Sequence, residues 1–308
     1  MKKSGRGAAP AVAKRERALL ALLPDCSDCE FLRCRWQKLA IKIEQHTASL
    51  PFERAFCAGT LLAPGRNMTI TANATVREVA TEFPQSTQLF EKLNIDYCCG
   101  GNKLIAEACA SAGVDVGSLM EMLAEVTQSS PSDAQNAHNV PLSELITHIV
   151  DTHHVFTKSA IDRLELLAGK VLAAHGGNHP ELVQLNELVA RLAADLRPHM
   201  FKEEQILFPY IVALEDAADK KRAVPFAPFG TVNNPIRMMM REHDIAGEIL
   251  RELRALTSGF KVPADACISY QTLYQALEDL EKDLHQHIHL ENNILFPRAL
   301  DQEKALSQ

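Results

Sequence analysis

The sequence contains almost the same eleven residues twice, 88 positions apart, and this repeat limits the folds open to the chain. HMFKEEQILFP runs from His199 to Pro209, and HIHLENNILFP runs from His287 to Pro297. Each copy continues a series of apolar residues with alternating steps of four and three, which is typical of a helix facing the core of a bundle. In each copy a histidine and a glutamate four residues later occupy such core positions. Because residues i and i+4 lie about 40° apart around a helix, both side chains are predicted to point inward.

Four long helical patterns follow residue 140 and are joined by short connections, which predicts an all-α, up-down four-helix bundle. The predicted helices cover residues 141–168, 180–216, 234–258 and 264–300. Gly169 is expected to end the first helix. Pro198 removes one backbone hydrogen bond beside His199 and is expected to kink the second helix. Ile206 and Ile294 continue the core positions beyond the two glutamates.

The other two helices contain histidines that complete a duplicated unit. His154 lies 45 residues before His199, and His243 lies 44 residues before His287. A buried imidazole and a buried carboxylate destabilise a fold by several kcal/mol unless they are paired or bind metal. A buried His–Glu hydrogen bond would explain one copy, whereas two copies in the same register favour a metal site. The residues predicted to converge are His154, His199, Glu203, His243, His287 and Glu291.

Four imidazoles and two carboxylates suit two metal ions better than one. If Glu203 and Glu291 both bridge, each metal receives two nitrogens and two oxygens, and an oxo or hydroxo bridge still leaves a position open. Such mixed ligands favour iron or manganese over structural zinc, which prefers four closed ligands. Glu242 points about 100° away from its neighbour His243. We interpret Glu242 as an outer carboxylate beside the metals, with a solvated surface position as the alternative, and we expect Glu204 to be exposed.

Composition divides the chain into four segments. Residues 1–67 carry 12 Lys and Arg against 6 Asp and Glu, and we interpret this basic, Cys-containing leader as a disordered extension or a misassigned start. Residues 68–127 are predicted to form a small helical domain, residues 128–140 a polar linker, and residues 141–308 the bundle. After residue 67, 20 Lys and Arg stand against 33 Asp and Glu, which argues against nucleic acid as a partner. The absence of a long apolar run argues against a membrane span, and a short N-terminal apolar run against a secretory signal, so a cytoplasmic location is expected.

Adjacent cysteines, Cys98 and Cys99, precede two glycines in the segment LNIDYCCGGNKLIAEAC. Such thiols can act in redox chemistry, or as ligands that pass iron to or from another site. The alternative is a glycine-rich turn without chemistry. A disulfide between neighbouring cysteines is strained and easily reduced, which would suit a redox switch.

Both motifs resemble the RIC (repair of iron centres, ScdA-like) family of di-iron proteins with a hemerythrin-like domain. The order His, His-x3-Glu, His, His-x3-Glu matches that family, as do KEEQILFP and LENNILFP, and LNIDYCCGGNKLIAEAC is similar to the signature of its small N-terminal domain. The resemblance covers residues 68–300 and implies a hemerythrin-like bundle preceded by a small helical domain. It also implies that the six residues are iron ligands, with Glu203 and Glu291 bridging two non-haem irons.

The resemblance implies repair of iron-sulfur clusters damaged by nitrosative or oxidative stress, through delivery of iron, through binding and reduction of nitric oxide, or both. The partners expected on this interpretation are iron-sulfur proteins as clients, nitric oxide or oxygen as small ligands, and a second copy in a homodimer. The alternative function is a sensor or carrier of oxygen or nitric oxide that repairs nothing. A structural zinc or manganese bundle is a third interpretation.

Overall fold

The computed structural model describes residues 70–128 and 140–308, except for the side chains of residues 127 and 128. The predicted leader and most of the predicted linker lie outside these residues. The described chain is built of helices and contains no strand, apart from one isolated bridge between Thr75 and Leu104. The all-α prediction is therefore confirmed. Within the same residues, no helix combines the length and the apolar character needed to cross a bilayer.

Four helices form the small domain that precedes the bundle. They are α1 (Val76–Glu82), α2 (Ser86–Lys92), α3 (Ile105–Ala112) and α4 (Val116–Gln128). Thr75 caps α1, because its hydroxyl accepts the N–H of Glu78 while the Glu78 carboxylate accepts the N–H of Thr75. Gly113 ends α3 with a φ of 68°, a conformation that glycine adopts without strain. The domain has its own apolar core.

Four helical rods form the bundle, and three of them change from α-helix to π-helix and back. The first rod joins α5 (Leu142–His148), a π-helical segment (Ile149–His154) and α6 (Val155–His175). The second joins α7 (Glu181–Lys202), a π-helical segment (Glu203–Leu207) and α8 (Phe208–Asp219). The third is α9 (Asn233–Leu256). The fourth joins α10 (Ile268–His289), a π-helical segment (Leu290–Leu295) and α11 (Phe296–Leu306).

The expected end of the first helix at Gly169 is wrong, whereas the kink expected at Pro198 stays a prediction. The first rod continues past Gly169 to His175, because the buried face of α6 packs against the second and fourth rods and outweighs the poor helix propensity of one glycine. The helix α7 continues through Pro198 to Lys202. Pro198 and Ala194, whose carbonyl loses its hydrogen bond, both lie on the exposed side. Water can solvate that carbonyl, so the helix does not end there.

Two apolar clusters fill the bundle, one on each side of a layer of histidines and glutamates. One cluster contains Leu196 of the second rod and Leu250 of the third. The other contains Leu207 of the second rod and Met239 of the third. Along the chain, the second rod runs from the first cluster through the layer to the second cluster. The third rod runs from the second cluster to the first, so the two rods are antiparallel. The layer of histidines and glutamates thus separates two apolar parts of the core.

Candidate metal centre

All six predicted ligands lie together in this buried layer. The first and third rods provide one histidine each, and the second and fourth rods provide one His–Glu pair each. The side chains form two groups of four, and the ligand atoms within each group lie within 4.8 Å of one another. Both groups contain Glu203 and Glu291, so the two carboxylates lie between them. One group adds His154 and His287, and the other adds His199 and His243.

The π-helical segments coincide with these residues. His154 closes the first segment, Glu203 opens the second, and Glu291 lies near the start of the third. A π-helical turn accommodates one extra residue, which rotates the following side chains by about 100° relative to a regular α-helix. In the second rod Ile206 is consequently 46% exposed and Leu207 only 1% exposed, so the prediction that Ile206 faces the core is wrong. Ile294 is buried as predicted.

The Nε2 atoms of the four imidazoles point toward each other and toward the carboxylates. The Nε2 atoms of His154 and His287 are 3.1 Å apart, and those of His199 and His243 are also 3.1 Å apart. Glu203 Oε2 lies 3.2 Å from Nε2 of His199 and 3.5 Å from that of His154. Each imidazole therefore offers the same nitrogen to the centre of the layer.

Three of the four imidazoles are held from outside by an oxygen acceptor at Nδ1. His154 Nδ1 lies 2.8 Å from Glu204 Oε1, and His199 Nδ1 lies 2.8 Å from Glu242 Oε2. Nδ1 of His243 lies 2.9 Å from the side-chain oxygen of Asn292. Such outer acceptors fix the tautomer and orientation of a metal-binding histidine. Two lysines support the carboxylates, since Lys158 bonds Glu204 and Lys202 bonds Glu242.

His287 is the exception, because its Nδ1 is buried and has no hydrogen-bond partner. The two halves of the bundle explain this difference. Glu242 precedes His243 and bonds His199 across the bundle, so the residue before His154 would be expected to bond His287. That residue is His153, whose ring stacks on His287 at a centroid distance of 5.6 Å. The Nδ1 atom of His153 bonds Asp283 instead, at 2.9 Å.

The buried carboxylates attract positive charge strongly. Burial acts to lower the pKa of His154, but Glu203 and Glu291 outweigh it and raise that pKa to about 10. Burial likewise acts against His199, whose pKa is also raised to about 10, chiefly by Glu203. Burial and the neighbouring Glu291 act to raise the pKa of Glu203, but the facing histidines hold it at about 2. The layer thus contains ionised carboxylates that require cationic partners.

The geometry of these atoms fits metal ions. Both oxygens of Glu203 and one oxygen of Glu291 are buried without a hydrogen-bond partner, which is costly for a carboxylate. Nδ1 of His199 and of His243 each face an oxygen, so a neutral imidazole at either position carries its proton there and turns its Nε2 lone pair toward the other Nε2, 3.1 Å away. The raised pKa of His199 favours a proton on this Nε2, which a metal ion would displace. A cation between such lone pairs and carboxylates would satisfy all of them. Nitrogen and oxygen donors of this kind suit divalent transition metals.

The adjacent cysteines lie against the third rod. They occupy the loop between α2 and α3, and both thiols are free. The Sγ atom of Cys99 is 3.7 Å from the carbonyl oxygen of His243. An added Cβ on Gly247 would lie 3.5 Å from the same sulfur, an ordinary van der Waals distance, so the thiol of Cys99 packs beside this glycine.

Two histidines of the fourth rod, His285 and His289, are covered by the small domain. His289 is buried and bonds Asn293, whose side chain also donates to the carbonyl of Tyr97 at 3.1 Å. His285 Nδ1 lies 2.8 Å from a carboxylate oxygen of Glu91. The sequence of the bundle alone contained no sign that another domain packs on this face.

The outer acceptors were predicted only in part. Glu242 was proposed as an outer carboxylate and does contact His199, but Glu204 was expected to be exposed and bonds His154 instead. Asn292 was not considered. A signal for both was present in the repeat, because Glu204 and Asn292 each follow the glutamate of their copy. Glu204 bonds His154, the first histidine of its own repeat, and Asn292 bonds His243, the first histidine of the second repeat.

Family comparisons agree with both parts of the described chain. The Hemerythrin HHE cation binding domain matches residues 145–299. The ScdA_N domain, described as a domain of unknown function (DUF542), matches residues 72–127. The first match contains all six buried residues, and the second contains Cys98 and Cys99.

Similar proteins have names that refer to iron-sulfur clusters. The chain is 36% identical over 223 residues to "Iron-sulfur cluster repair protein YtfE" of Musicola paradisiaca (strain Ech703), covering 72% of this chain and 94% of that protein. The protein of the same name from Escherichia coli O81 (strain ED1a) is also 36% identical with the same coverage. A "Probable iron-sulfur cluster repair protein" of Haemophilus influenzae is 32% identical over 233 residues, covering 75% and 99%.

Proposed function

Because the chain belongs to the family of these iron-sulfur cluster repair proteins, we propose that it is a di-iron protein that repairs iron-sulfur clusters damaged by nitrosative or oxidative stress. The observation that supports this function best is the pair of buried groups that share Glu203 and Glu291. Two metal ions in adjacent groups with common carboxylates form a centre that can both bind a small ligand and lose a metal ion.

The metal in this proposal is iron. His154 and His287 would hold one ion and His199 and His243 the other, with Glu203 and Glu291 as carboxylate bridges and an oxo or hydroxo group between the ions. When bound, the pair supplies a redox-active centre with open positions for nitric oxide or oxygen. The mixture of imidazole and carboxylate ligands favours iron or manganese over a closed structural zinc site.

The surrounding residues determine how the centre is held. All six ligands are buried, so bulk water does not reach the carboxylates from the bundle surface. Glu204, Glu242 and Asn292 hold three imidazoles with Nε2 directed inward. Carboxylates and imidazoles bind ferrous iron less tightly than thiolates do, which makes transfer of iron to a cysteine-rich client chemically reasonable.

The thiols of Cys98 and Cys99 take part in the proposed repair by exchanging electrons or iron with the centre. Their position supports this role, because Cys99 Sγ contacts the backbone of His243, one of the proposed ligands, at 3.7 Å. Both cysteines line a cavity whose other walls include residues of the third and fourth rods. Client proteins would deliver damaged clusters or accept iron from this side.

Measurement of iron content and of the optical spectrum tests the metal assignment. Purified protein is expected to contain about two irons per chain with an oxo-bridged charge-transfer band. The Glu203→Gln/Glu291→Gln variant keeps side-chain size but removes both charges, so it should lose the iron and the band. Glu187→Gln, an exposed position on α7, is the matched control and should keep both. Circular dichroism of each variant shows whether the bundle is folded.

A repair assay separates the proposed function from a carrier or sensor of gases. An enzyme with a [4Fe–4S] cluster is inactivated with nitric oxide, and recovery of its activity is followed with added protein. Cys98→Ala/Cys99→Ala is expected to keep the iron and lose the recovery. If the wild-type protein holds two irons and binds nitric oxide but restores no activity, the gas-binding alternative is correct. Iron content unaffected by the two glutamate changes would overturn the metal assignment.

The remaining features belong to the same proposal. Iron-sulfur proteins are the proposed clients, and nitric oxide and oxygen the small ligands. Cytoplasmic location and a homodimer stay predictions from the sequence. Light scattering of the purified chain would measure its oligomeric state directly.

A further inference from the structure

Asp96 organises the loop that carries the adjacent cysteines. Its Oδ1 atom accepts the backbone N–H groups of Cys98, Cys99 and Gly100, at 3.2, 2.9 and 2.9 Å. These three bonds curl the chain around the carboxylate, so that both thiols lie on the same side as its oxygens. The Sγ atoms are 3.7 Å apart, and Cys98 Sγ is 3.4 Å from Asp96 Oδ1. The three side chains form a compact group of possible metal ligands.

The distances in this group match those between the ligands of a tetrahedral metal ion. For metal–sulfur bonds of about 2.3 Å, two sulfurs at a tetrahedral angle are about 3.8 Å apart. With a metal–oxygen bond of about 2.0 Å, a sulfur and an oxygen are about 3.5 Å apart. The observed separations of 3.7 and 3.4 Å are close to these values. Because Oδ1 of Asp96 already accepts three N–H groups, Oδ2 of the same carboxylate is the oxygen left to bind a metal ion. A disulfide, in contrast, would require the sulfurs to approach to about 2.05 Å.

A cavity of about 110 Å³ adjoins the group and gives access to it. A cavity of this volume holds several water molecules, so it leaves room beside the group for client thiolates. Arg251 lines the cavity and is largely exposed, with a separation of 3.7 Å from Asp96 Oδ2. Arg254 also lines it, but is paired with Glu281. The exposed guanidinium of Arg251 would attract an anionic sulfur ligand.

We propose that Asp96, Cys98 and Cys99 form a third metal site, which holds a thiophilic divalent ion, ferrous iron in the cell, during its transfer to a client. The proposal rests on the proposed function, because the bundle centre is the source of the iron. Cys99 contacts the carbonyl of His243 on the third rod, so the site adjoins that source. Three protein ligands leave the fourth tetrahedral position free for a client thiolate, which enters from the cavity.

The transfer is an exchange of ligands without a change in oxidation state. The ion forms bonds to both sulfurs and to the carboxylate, and the two thiols release two protons to water. A client thiol then loses its proton and takes the fourth position, and further client thiols displace Cys98, Cys99 and Asp96 in turn. The protons that the client thiols release balance those that Cys98 and Cys99 recover. The ion that enters the site is ferrous iron released from the reduced form of the bundle centre. It stays ferrous at the site, so the ligand exchange there needs no oxidant or reductant.

Cobalt(II) is the probe for this site, because thiolate ligands give it an intense near-ultraviolet charge-transfer band and tetrahedral ligation gives strong visible bands. The titration uses the full-length chain under argon, with serine at the four other cysteines of the N-terminal segment, Cys26, Cys29, Cys34 and Cys57. In protein whose bundle centre is already filled with iron, one equivalent of cobalt should produce both bands. Cys98→Ser or Cys99→Ser should abolish them, and Asp96→Asn should weaken binding while keeping the acceptor for the loop N–H groups.

Cys267→Ser is the matched control, since this exposed thiol lies outside the group and its loss should leave the bands unchanged. The same titration of Glu203→Gln/Glu291→Gln distinguishes the two proposals. Bands that persist in that variant establish the third site whether or not the bundle holds iron. Bands that survive the loss of either Cys98 or Cys99, or that fail to form at millimolar cobalt, would overturn the third site and leave the bundle centre untouched.

Discussion

Replacing Glu242 with alanine should lower the affinity for one of the two proposed metal ions and leave the affinity for the other unchanged. Glu242 accepts Nδ1–H of His199 at 2.8 Å, whereas His287, in the other group, has no acceptor at Nδ1. Loss of an outer acceptor lowers metal affinity by about 10- to 100-fold, or about 1.4 to 2.8 kcal/mol. In the unmodified protein the ion beside His287 should therefore leave first, and the ion beside His199 second.

Two variants should move these release steps in opposite directions. Glu242→Ala weakens the tighter site and should bring the steps together. Glu204→Ala removes the acceptor of His154, which shares a group with His287, and should separate the steps further. The assay is iron retained per chain at equilibrium with increasing concentrations of a chelator. Glu242→Gln keeps an oxygen acceptor and should resemble the unmodified protein more closely than the alanine variant does.

The control for these variants is Glu248→Ala, an exposed carboxylate on the same helix as Glu242. It should leave both steps unchanged. If Glu204→Ala and Glu242→Ala shift the same step, the assignment of one outer acceptor to each ion is wrong. A single release step that neither variant alters would refute the reasoning as a whole.

Three further outcomes follow from burial, backbone geometry and thiol environment. In denaturant titrations, Leu207→Ala should lower the free energy of unfolding by about 2–5 kcal/mol. Ile206→Ala should lower it by less than about 1 kcal/mol. Equal losses would contradict the π-helical register. Gly169→Ala should raise the free energy of unfolding by about 1 kcal/mol, since nothing lies within 4 Å of an added Cβ; destabilisation would mean that the helix is interrupted there. A backbone N–H lowers the pKa of the exposed Cys267 thiol, whereas a bond to the adjacent thiol and burial raise the pKa of Cys98. Near neutral pH more of Cys267 is thiolate, so timed iodoacetamide labelling read by mass spectrometry should modify it first, and the reverse order would refute these environments.

The spacing of residues along the chain was sufficient to predict the bundle and its polar layer. Apolar residues in steps of four and three place one face of each helix in the core, whatever the details of packing. His199 and Glu203 occupy that face four residues apart, as do His287 and Glu291, so both pairs had to point inward if the helices formed. The duplicated spacing from His154 and His243 then brought one histidine from each remaining helix to the same level.

The details that govern the centre depend on contacts between rods, and no single helix encodes them. Glu242 and His199 are 43 residues apart, and His153 and Asp283 are 130 apart, so their bonds arise only when the rods pack. The end of the first helix was also misjudged from local residues. Gly169 has poor local propensity, but burial of the opposite face of the helix outweighs it.

The register beyond the glutamates was decided by the tertiary structure as well. A regular helix would turn Ile206 into the core, and the local sequence gives no sign of the π-helical turn that exposes it. That turn follows from fitting Glu203 into a layer shared by four rods, which is a constraint on the whole bundle. The sequence alone determined which side chains meet, because helical periodicity is a local property. The packed structure determined how they are held, because outer hydrogen bonds and the small domain that covers His285 join segments far apart in the chain.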